Sequence, residues 1–208
     1  MTHAELHSDA VRILSGWGGD GVHSASGGDE FRSASGGDGD RVPAGCGGDR
    51  AGQAALREAF LGFLAARPDA TRRSCEPGHL TASVVLLDST RRSVLLTLHP
   101  RVGRWLQLGG HCEDGDTTLA GAALREATEE AGIDGLTIGA APVHLDVHPI
   151  TCSLGKPTRH FDVRYLAIAP PGAVPTISAE SDDLRFWPLD ALPPGVDASL
   201  LAALAAIG

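Results

Sequence analysis

One continuous segment, RWLQLGGHCEDGDTTLAGAALREATEEAGI, constrains the fold of this chain more than any other. An apolar strand leads into a Gly-rich acidic loop and then into a helix, which we predict to span about Thr117 to Ala131 because Gly132 occupies a typical helix-ending position. Glu126, Glu129 and Glu130 share one face of this helix. Like charges at such spacing repel by roughly 0.2–0.5 kcal/mol per pair. A solvated acidic face bears this cost easily, whereas a bound metal ion compensates for it.

Carboxylate oxygens are the ligands that magnesium prefers, and several of them beside a Gly-rich loop suit a metal-phosphate substrate. The segment resembles the signature box of the Nudix hydrolases, G-xxxxx-E-xxxxxxx-R-E-U-x-E-E-x-G-U, in which U is an aliphatic residue. Gly110 opens the box in this chain, and small Ala127 occupies the first aliphatic position. The other matching positions of the second half are Arg125, Glu126, Glu129, Glu130, Gly132 and Ile133.

The first half of the box departs from the family pattern. Counted forward from Gly110, the first glutamate of the box falls on Asp116, and counted back from Arg125 it falls on Thr117, so one extra residue is present. An insertion inside a helix rotates everything beyond it, whereas a loop absorbs it, and we therefore place the extra residue in the loop. Asp116 then lies near the helix start. Capping of free backbone amides is its favoured role, with contact to the arginine or the metal shell as the alternative.

The resemblance covers roughly residues 79–193 and implies an α/β/α sandwich with a mixed sheet. It also implies Mg²⁺-dependent hydrolysis of a diphosphate bond in a nucleoside diphosphate derivative, a small-molecule partner, with Mn²⁺ as an alternative ion. The implied metal ligands are Glu126, Glu129, Glu130 and the carbonyl of Gly110, and Arg125 is expected to orient a glutamate. The residue that serves as base or positions the water stays open, and the candidates are Glu126, Glu180, Asp182 and Asp183.

Two other functions on this fold remain as alternatives. An enzyme like isopentenyl diphosphate isomerase requires a catalytic cysteine, and Cys112 lies near the loop, although it lacks the Cys-His-Pro neighbourhood of that family. A non-hydrolytic sensor that binds a nucleotide diphosphate has little use for a water-activating metal group. Retention of the three glutamates therefore favours the hydrolase.

Two later segments, HLDVHP and HFDVRYL, carry polar side chains in alternation. Because side chains alternate between the two faces of a strand, each segment presents a polar face. These faces consist of His144, Asp146 and His148 in the first segment and His160, Asp162 and Arg164 in the second.

Pairing of these two strands as a hairpin brings their polar faces together, with Asp146 close to Arg164. A solvated sheet face is the alternative interpretation. Both faces of a Nudix sheet tend to be covered, so we predict that the six residues line the substrate cleft. A histidine metal site is not favoured, because no histidine pair has a companion cysteine or carboxylate at a convincing ligand spacing.

The substrate itself is only weakly indicated. In relatives that cleave ADP-ribose, a proline tends to lie about sixteen residues beyond the box, and Pro149 lies 16 residues after Ile133 (149 − 133). Pro149 is also explained as a residue that ends a strand. The sequence therefore favours a nucleoside diphosphate derivative without naming one.

Composition excludes several other classes of protein. The chain has 208 residues and is 42% hydrophobic, which suits one globular domain with a sizeable core. Its formal net charge of -9 argues against nucleic-acid and membrane-surface partners, which require a positive surface field. The first fifteen residues lack the pattern of a leader peptide, and we expect a cytoplasmic protein. Its four cysteines are widely scattered, and we interpret them as reduced thiols.

The pattern divides the chain into three parts. We predict an N-terminal helix in residues 1–15 and a disordered low-complexity insertion, rich in Gly, Ser and Asp, in residues 16–52. Residues 53–208 form the predicted Nudix domain, including its leading helix, whose apolar side chains recur at helical spacing from about Ala51 to Ala66. The oligomeric state is left open.

Overall fold

The computed structural model describes residues 2–18, 49–151, 155, 157–178 and 181–208. Most of the predicted insertion and one base candidate, Glu180, lie outside the described residues, and the predictions made for them are untested. Within the described ranges, no helix has both the length and the apolar character required to cross a bilayer.

Four helices and seven strands make up the described part of the chain. In chain order they are α1 (Thr2–Gly16), α2 (Arg50–Ala66), β1 (His79–Leu87), β2 (Ser93–His99), β3 (Arg104–Leu106), β4 (Leu108–His111), α3 (Leu119–Ala131), β5 (Thr137–Thr151), β6 (Pro157–Ile168), β7 (Asp183–Pro188) and α4 (Ala198–Ala205).

The strands form one mixed sheet with the order β3-β2-β1-β6-β5, and β4 pairs with β1 while β7 pairs with β2. The central pair, β1 and β6, is parallel, and the other pairs are antiparallel. The predicted hairpin of the two polar segments, β5 with β6, is confirmed, and β1 and β2 form a second antiparallel pair of consecutive strands. Because β1 is central, its side chains reach the layers on both faces of the sheet.

Helices cover both faces of this sheet. Val84 and Leu86 of β1 pack in the cluster that contains the buried residues of α1, α2 and α3, whereas Val85 and Leu87 pack with α4. This alternation is the period of a strand that is buried on both faces. The predicted sandwich with a mixed sheet is thereby confirmed. On the α4 side, Thr81 and other buried polar residues replace the apolar ones toward the start of β1.

The N-terminal helix belongs to the same core as the sheet. Leu6, Ala10 and Leu14 recur every four residues, share one helical face and have no solvent exposure. They pack in the same cluster as Phe60 of α2 and the apolar face of β1. The two helices that precede the Nudix-like segment therefore form part of the layer that also holds α3.

Candidate active site

Helix α3 has well-defined ends. At its N-terminus the Thr118 hydroxyl accepts a hydrogen bond from the Gly121 amide, and at its C-terminus Gly132 adopts a left-handed conformation with φ 60°. A glycine adopts this conformation without the steric cost that a Cβ brings, and the prediction that the helix ends there is confirmed. The helix starts at Leu119, which is compatible with the predicted placement of the extra residue of the box in the loop between β4 and α3.

Capping by Asp116, the favoured prediction for this residue, is wrong. Thr118 is the N-cap, and Asp9 of α1 accepts a hydrogen bond from the Leu119 amide at 2.9 Å. Asp116 instead accepts from the Glu113 amide at 2.7 Å and binds Arg125 through both of its carboxylate oxygens. The alternative that the sequence left open, contact with the arginine, is the one observed.

The inner face of α3 is made of small residues. Apart from Leu119, the buried residues of α3 are Ala122, Ala123, Ala127 and Ala131. Small side chains allow the helix backbone to approach the sheet closely, and the neighbouring β4 is correspondingly glycine-rich. The glutamates of α3 consequently reach the backbone of β4.

Two of the three glutamates contact β4 directly. A Cβ added to Gly110 would lie 2.6 Å from Oε2 of Glu126, so a side chain at this position would displace the carboxylate. Oε2 of Glu130 accepts a hydrogen bond from the Gly109 amide at 2.9 Å. The Glu129 side chain is 60% exposed and points to a more open region. The structure thus places Gly110 beside Glu126.

Arg125 is the partner that offsets the repulsion among these acids. Its Nη1 donates to Glu126 and Glu129, each at 3.1 Å. Its Nε and Nη2 donate to Asp116 at 3.1 and 3.0 Å, and Nη2 also donates to the His111 carbonyl. The hydrogen bonds to Asp116 raise the pKa of Arg125, so the guanidinium stays charged. This geometry is compatible with the predicted role of orienting a glutamate.

The Glu126 carboxylate is poorly solvated. Burial raises its pKa, and the charge of Arg125 opposes that rise only in part. A desolvated carboxylate beside the glycine backbone of β4 and two further glutamates suits a hard divalent cation. In the described part of the chain, the three glutamates do not bring one oxygen each to within 4.8 Å of the others. Binding of an ion by all three therefore requires side-chain rotation, which the exposed Glu129 permits.

The two polar strands pair in the predicted way. In the hairpin of β5 and β6, Asp146 lies opposite Asp162 and His148 lies opposite His160. Nη2 of Arg164 lies 3.4 Å from Oδ2 of Asp146, so the predicted approach of these residues is present in the structure. The six polar residues share the sheet face that α4 partly covers.

Arg164 is buried in the centre of this face and is 1% exposed. Its Nε donates to Asp162 at 2.9 Å and its Nη1 to Ser199 of α4 at 2.8 Å. The Gln107 carboxamide oxygen, when turned toward Arg164, accepts from the same guanidinium. Asp162 also accepts hydrogen bonds from the hydroxyls of two β1 residues. Protein groups already occupy the polar atoms of Arg164 and Asp162. Their predicted contact with a substrate gains no support from this arrangement and stays a prediction.

The open end of the polar face contains Asp146, His148 and His160. His148 Nδ1 lies 2.7 Å from Asp146, and this hydrogen bond raises the pKa of His148. Burial raises the pKa of Asp146, but the hydrogen bond to His148 and the charge of Arg164 outweigh burial and lower it to about 2. His144 is buried beside Gln53 of α2, and burial lowers its pKa to about 4.

Several residues of this region carried no usable sequence signal. His79 and His111 lie against His160, with each pair of ring centroids 5.0 Å apart. They come from three different strands, and only the register of the sheet brings them together. Asp9 on α1, which binds the first amide of α3, was missed for the same reason.

Cys112 is poorly suited to catalysis. It is 6% exposed, and burial raises the pKa of its thiol to about 12, so the reactive thiolate is disfavoured. This environment argues against the isomerase alternative. Among the base candidates, Asp183 pairs with Arg185 in β7, whereas Glu126 lies against Gly110.

Comparison with known proteins gives a family match over most of this region. Residues 77–205 match the family model described as the NUDIX domain. Similar solved structures include a NUDIX-family hydrolase from Clostridium perfringens, with 24% identity, 62% of this chain and 95% of that chain covered, and a TM-score of 0.49. An Ap4A hydrolase from C. elegans in a binary complex has 24% identity, coverage of 61% and 93%, and a TM-score of 0.48. A MutT NUDIX hydrolase from Burkholderia pseudomallei has 21% identity, coverage of 62% and 97%, and a TM-score of 0.47. No curated protein matches the chain.

Proposed function

The chain belongs to the Nudix family and is a hydrolase that acts on phosphorus anhydrides, and we propose that it cleaves the diphosphate bond of a nucleoside diphosphate derivative with Mg²⁺. One observation carries this proposal. The carboxylates of Glu126 and Glu130 lie against the backbone of Gly109 and Gly110, and that of Glu126 is desolvated enough for its pKa to be raised. Such a group favours a divalent cation as partner.

The proposed metal ligands are Glu126, Glu129, Glu130 and the carbonyl of Gly110. Magnesium, or manganese in its place, offsets charge on the phosphate oxygens when bound and lowers the pKa of the attacking water. Arg125 restrains Glu126 and Glu129 through Nη1, and the Gly109 amide restrains Glu130. These contacts restrain the three carboxylates, and the exposed Glu129 is the one most free to rotate toward an ion.

We assign positioning and deprotonation of the water to Glu126. Its Oε1 accepts from Arg125, whereas Oε2 faces Gly110. A raised pKa moves a carboxylate toward the range in which it accepts a proton at neutral pH. Asp182 and Asp183 are the remaining described candidates, and the pairing of Asp183 with Arg185 makes it the weaker base.

The substrate is proposed to lie along the open end of the polar face. His148 and His160 are only partly buried there, and Asp146 orients His148 through Nδ1. Imidazole and carboxylate groups at the mouth of a cleft suit the hydroxyls and phosphate oxygens of a nucleotide derivative. His144, Asp162 and Arg164 lie deeper and support this surface by holding Asp146 in place.

The test is a panel of nucleoside diphosphate derivatives incubated with the full chain and Mg²⁺, with the products separated and the released phosphate counted. We expect cleavage of a diphosphate bond, and we expect Glu126→Gln to abolish it while keeping the side chain's shape. Glu58→Gln is the matched control, because Glu58 is an exposed helical glutamate paired with Arg57, away from α3. Binding of the compounds without turnover by the wild-type protein would favour a sensor.

A further inference from the structure

Three histidines meet on the sheet face opposite α3. His79 of β1 lies opposite His160 of β6, and His111 of β4 lies opposite Thr81, two residues further along β1. The three rings form a triangle in which each pair of centroids is 5.0 Å apart. One ring nitrogen of each residue lies within 4.8 Å of the other two. We refer to His79, His111 and His160 as the histidine triad.

The triad contains buried nitrogens without hydrogen-bond partners. His79 is 1% exposed, and in the described part of the chain neither its ring nitrogens nor Nε2 of His111 makes a well-formed hydrogen bond, although the Cys75 backbone lies close enough to His79 to raise its pKa. A buried polar atom without a partner costs about 1–3 kcal/mol, and such atoms are rare in native proteins unless a water or an ion satisfies them. Buried ring nitrogens that lack a partner, in three imidazoles that converge, therefore point to a shared ligand.

The triad is separate from the glutamates of α3. Gly110 and His111 are neighbours in β4, and consecutive residues of a strand face opposite sides of the sheet. Gly110 faces Glu126, so the His111 ring faces away from α3, while its carbonyl accepts from Arg125. A ligand at the triad would consequently not compete for the carboxylates.

Charges of both signs surround the triad. Burial lowers the pKa of all three histidines, and the charge of Arg73 lowers it further, whereas the Cys75 backbone opposes this at His79 and Asp162 opposes it at His160. His148 lies beside the triad, with its ring centroid 5.3 Å from that of His160, and donates Nδ1–H to Asp146. Burial therefore favours the neutral imidazole, which is the form that binds a metal ion.

We propose that His79, His111 and His160 form a binding site for a late first-row divalent metal ion, of which Zn²⁺ is the test case. Imidazole nitrogens suit zinc, copper and nickel, whereas magnesium prefers oxygen ligands. Three histidines leave a fourth position for water, for His148 or for an oxygen of a bound molecule. This site shares His160 with the surface on which the substrate is proposed to lie, but it shares no residue with the glutamates of α3.

This inference reverses the prediction that a histidine metal site is not favoured. That prediction rested on the spacing of ligands within a short segment, which is the pattern of metal sites built on loops. The triad is assembled by the parallel pairing of β1 with β6 and the antiparallel pairing of β1 with β4. A spacing rule does not detect ligands brought together by sheet register.

The test begins with removal of bound metal from the full chain by a chelator. The chain is then titrated with Zn²⁺, and isothermal titration calorimetry measures the binding. Replacement by Co²⁺ adds a spectroscopic signature, the visible absorption of a low-coordinate cobalt site. We expect one tight equivalent in the wild-type protein. His111→Gln and His79→Gln each remove a ligand, and we expect each to weaken binding at least about a hundredfold. Because two variants are used, a failure of His79→Gln to fold leaves His111→Gln as the test.

Two control variants define the outcome. His99→Gln replaces a histidine at the end of β2 that contacts the Arg101 amide, and it should bind Zn²⁺ like the wild-type protein. Glu126→Gln should also bind Zn²⁺ normally, because its carboxylate lies on the other side of β4. The proposal is overturned if the wild-type protein takes up no tight equivalent, or if His111→Gln binds as tightly as His99→Gln. Loss of Zn²⁺ from Glu126→Gln alone would instead assign the ion to the glutamates.

Discussion

Strand β4 separates two groups of titratable side chains that differ in almost every physical respect. The glutamates on the α3 side are charged and partly exposed, and the guanidinium of Arg125 holds two of them. The histidines on the other side have pKa values lowered by burial, and buried nitrogens among them lack a well-formed hydrogen bond. The guanidinium of Arg125 therefore partly neutralises the first group, whereas the second group has buried ring nitrogens that no protein group satisfies well. The first group suits a hard ion that exchanges readily, and the second suits a softer ion held more permanently.

The largest expected effect is on turnover. Glu130→Gln keeps the acceptor for the Gly109 amide but removes one charge, so the fold should persist while kcat falls by about a hundredfold or more. Steady-state kinetics at saturating Mg²⁺ measures this, with circular dichroism as the check on folding. Glu113→Gln is the control, since Glu113 lies near Arg125 at 3.9 Å but outside the glutamate face of α3. Equal losses in both variants would mean that general negative charge, and not this face, supports the reaction.

The next effect is on stability and contrasts the two groups directly. Arg125→Met leaves the buried Asp116 without its partner, and we expect the free energy of unfolding to fall by about 2–4 kcal/mol. His111→Gln removes no side-chain hydrogen bond and should leave that free energy nearly unchanged in a chelating buffer. Urea denaturation of both variants measures the difference. A double variant, Arg125→Met with Asp116→Asn, should recover part of the loss, and no recovery would show that Asp116 is not the residue left unsatisfied.

A smaller effect separates the two groups by the ion that stabilises them. An ion that binds only the folded state adds about 2.7 kcal/mol of stability at a concentration one hundred times its Kd. We expect Mg²⁺ to raise the melting temperature of the wild-type protein and of His111→Gln, but to raise that of Glu130→Gln less. Zn²⁺ should raise the melting temperature of the wild-type protein and of Glu130→Gln, but raise that of His111→Gln less. If one variant lost the response to both ions, the two groups would be parts of a single site.

The smallest effect is expected at Cys112, which follows His111 in sequence. Cys112→Ala should leave kcat unchanged, because burial raises the pKa of its thiol, which packs in the apolar core and donates a hydrogen bond to the Leu80 carbonyl. Turnover of the same nucleotide panel measures this. A fall in kcat comparable to that of Glu130→Gln would restore the cysteine-dependent isomerase as a candidate.

The sequence predicted those features that depend on neighbouring residues. The end of α3 at Gly132 and the pairing of Asp146 with Arg164 across a hairpin follow from local conformational preference and strand alternation. The roles that depend on distant partners were missed. Asp116 was predicted to cap α3, yet the structure uses Thr118 and supplements it with Asp9, a residue of another helix. The histidine triad likewise depends on the register of three strands, which no local pattern encodes.

Helix α1 supports the site although it lies outside the residues that match the family. The family match begins at residue 77, but the first amide of α3 is bonded to Asp9, and His3 contacts Asp114 in the loop that leads into the helix. A chain shortened to the matched residues would lose both contacts and, with α1 and α2, the two helices whose apolar side chains pack on this face of the sheet. We therefore expect the smallest active fragment of this protein to be longer than the residues that match the family. If truncation abolished activity, the loss would show that α1 holds the start of α3, and with it the glutamates, in place. It would not show that the reaction takes place at α1.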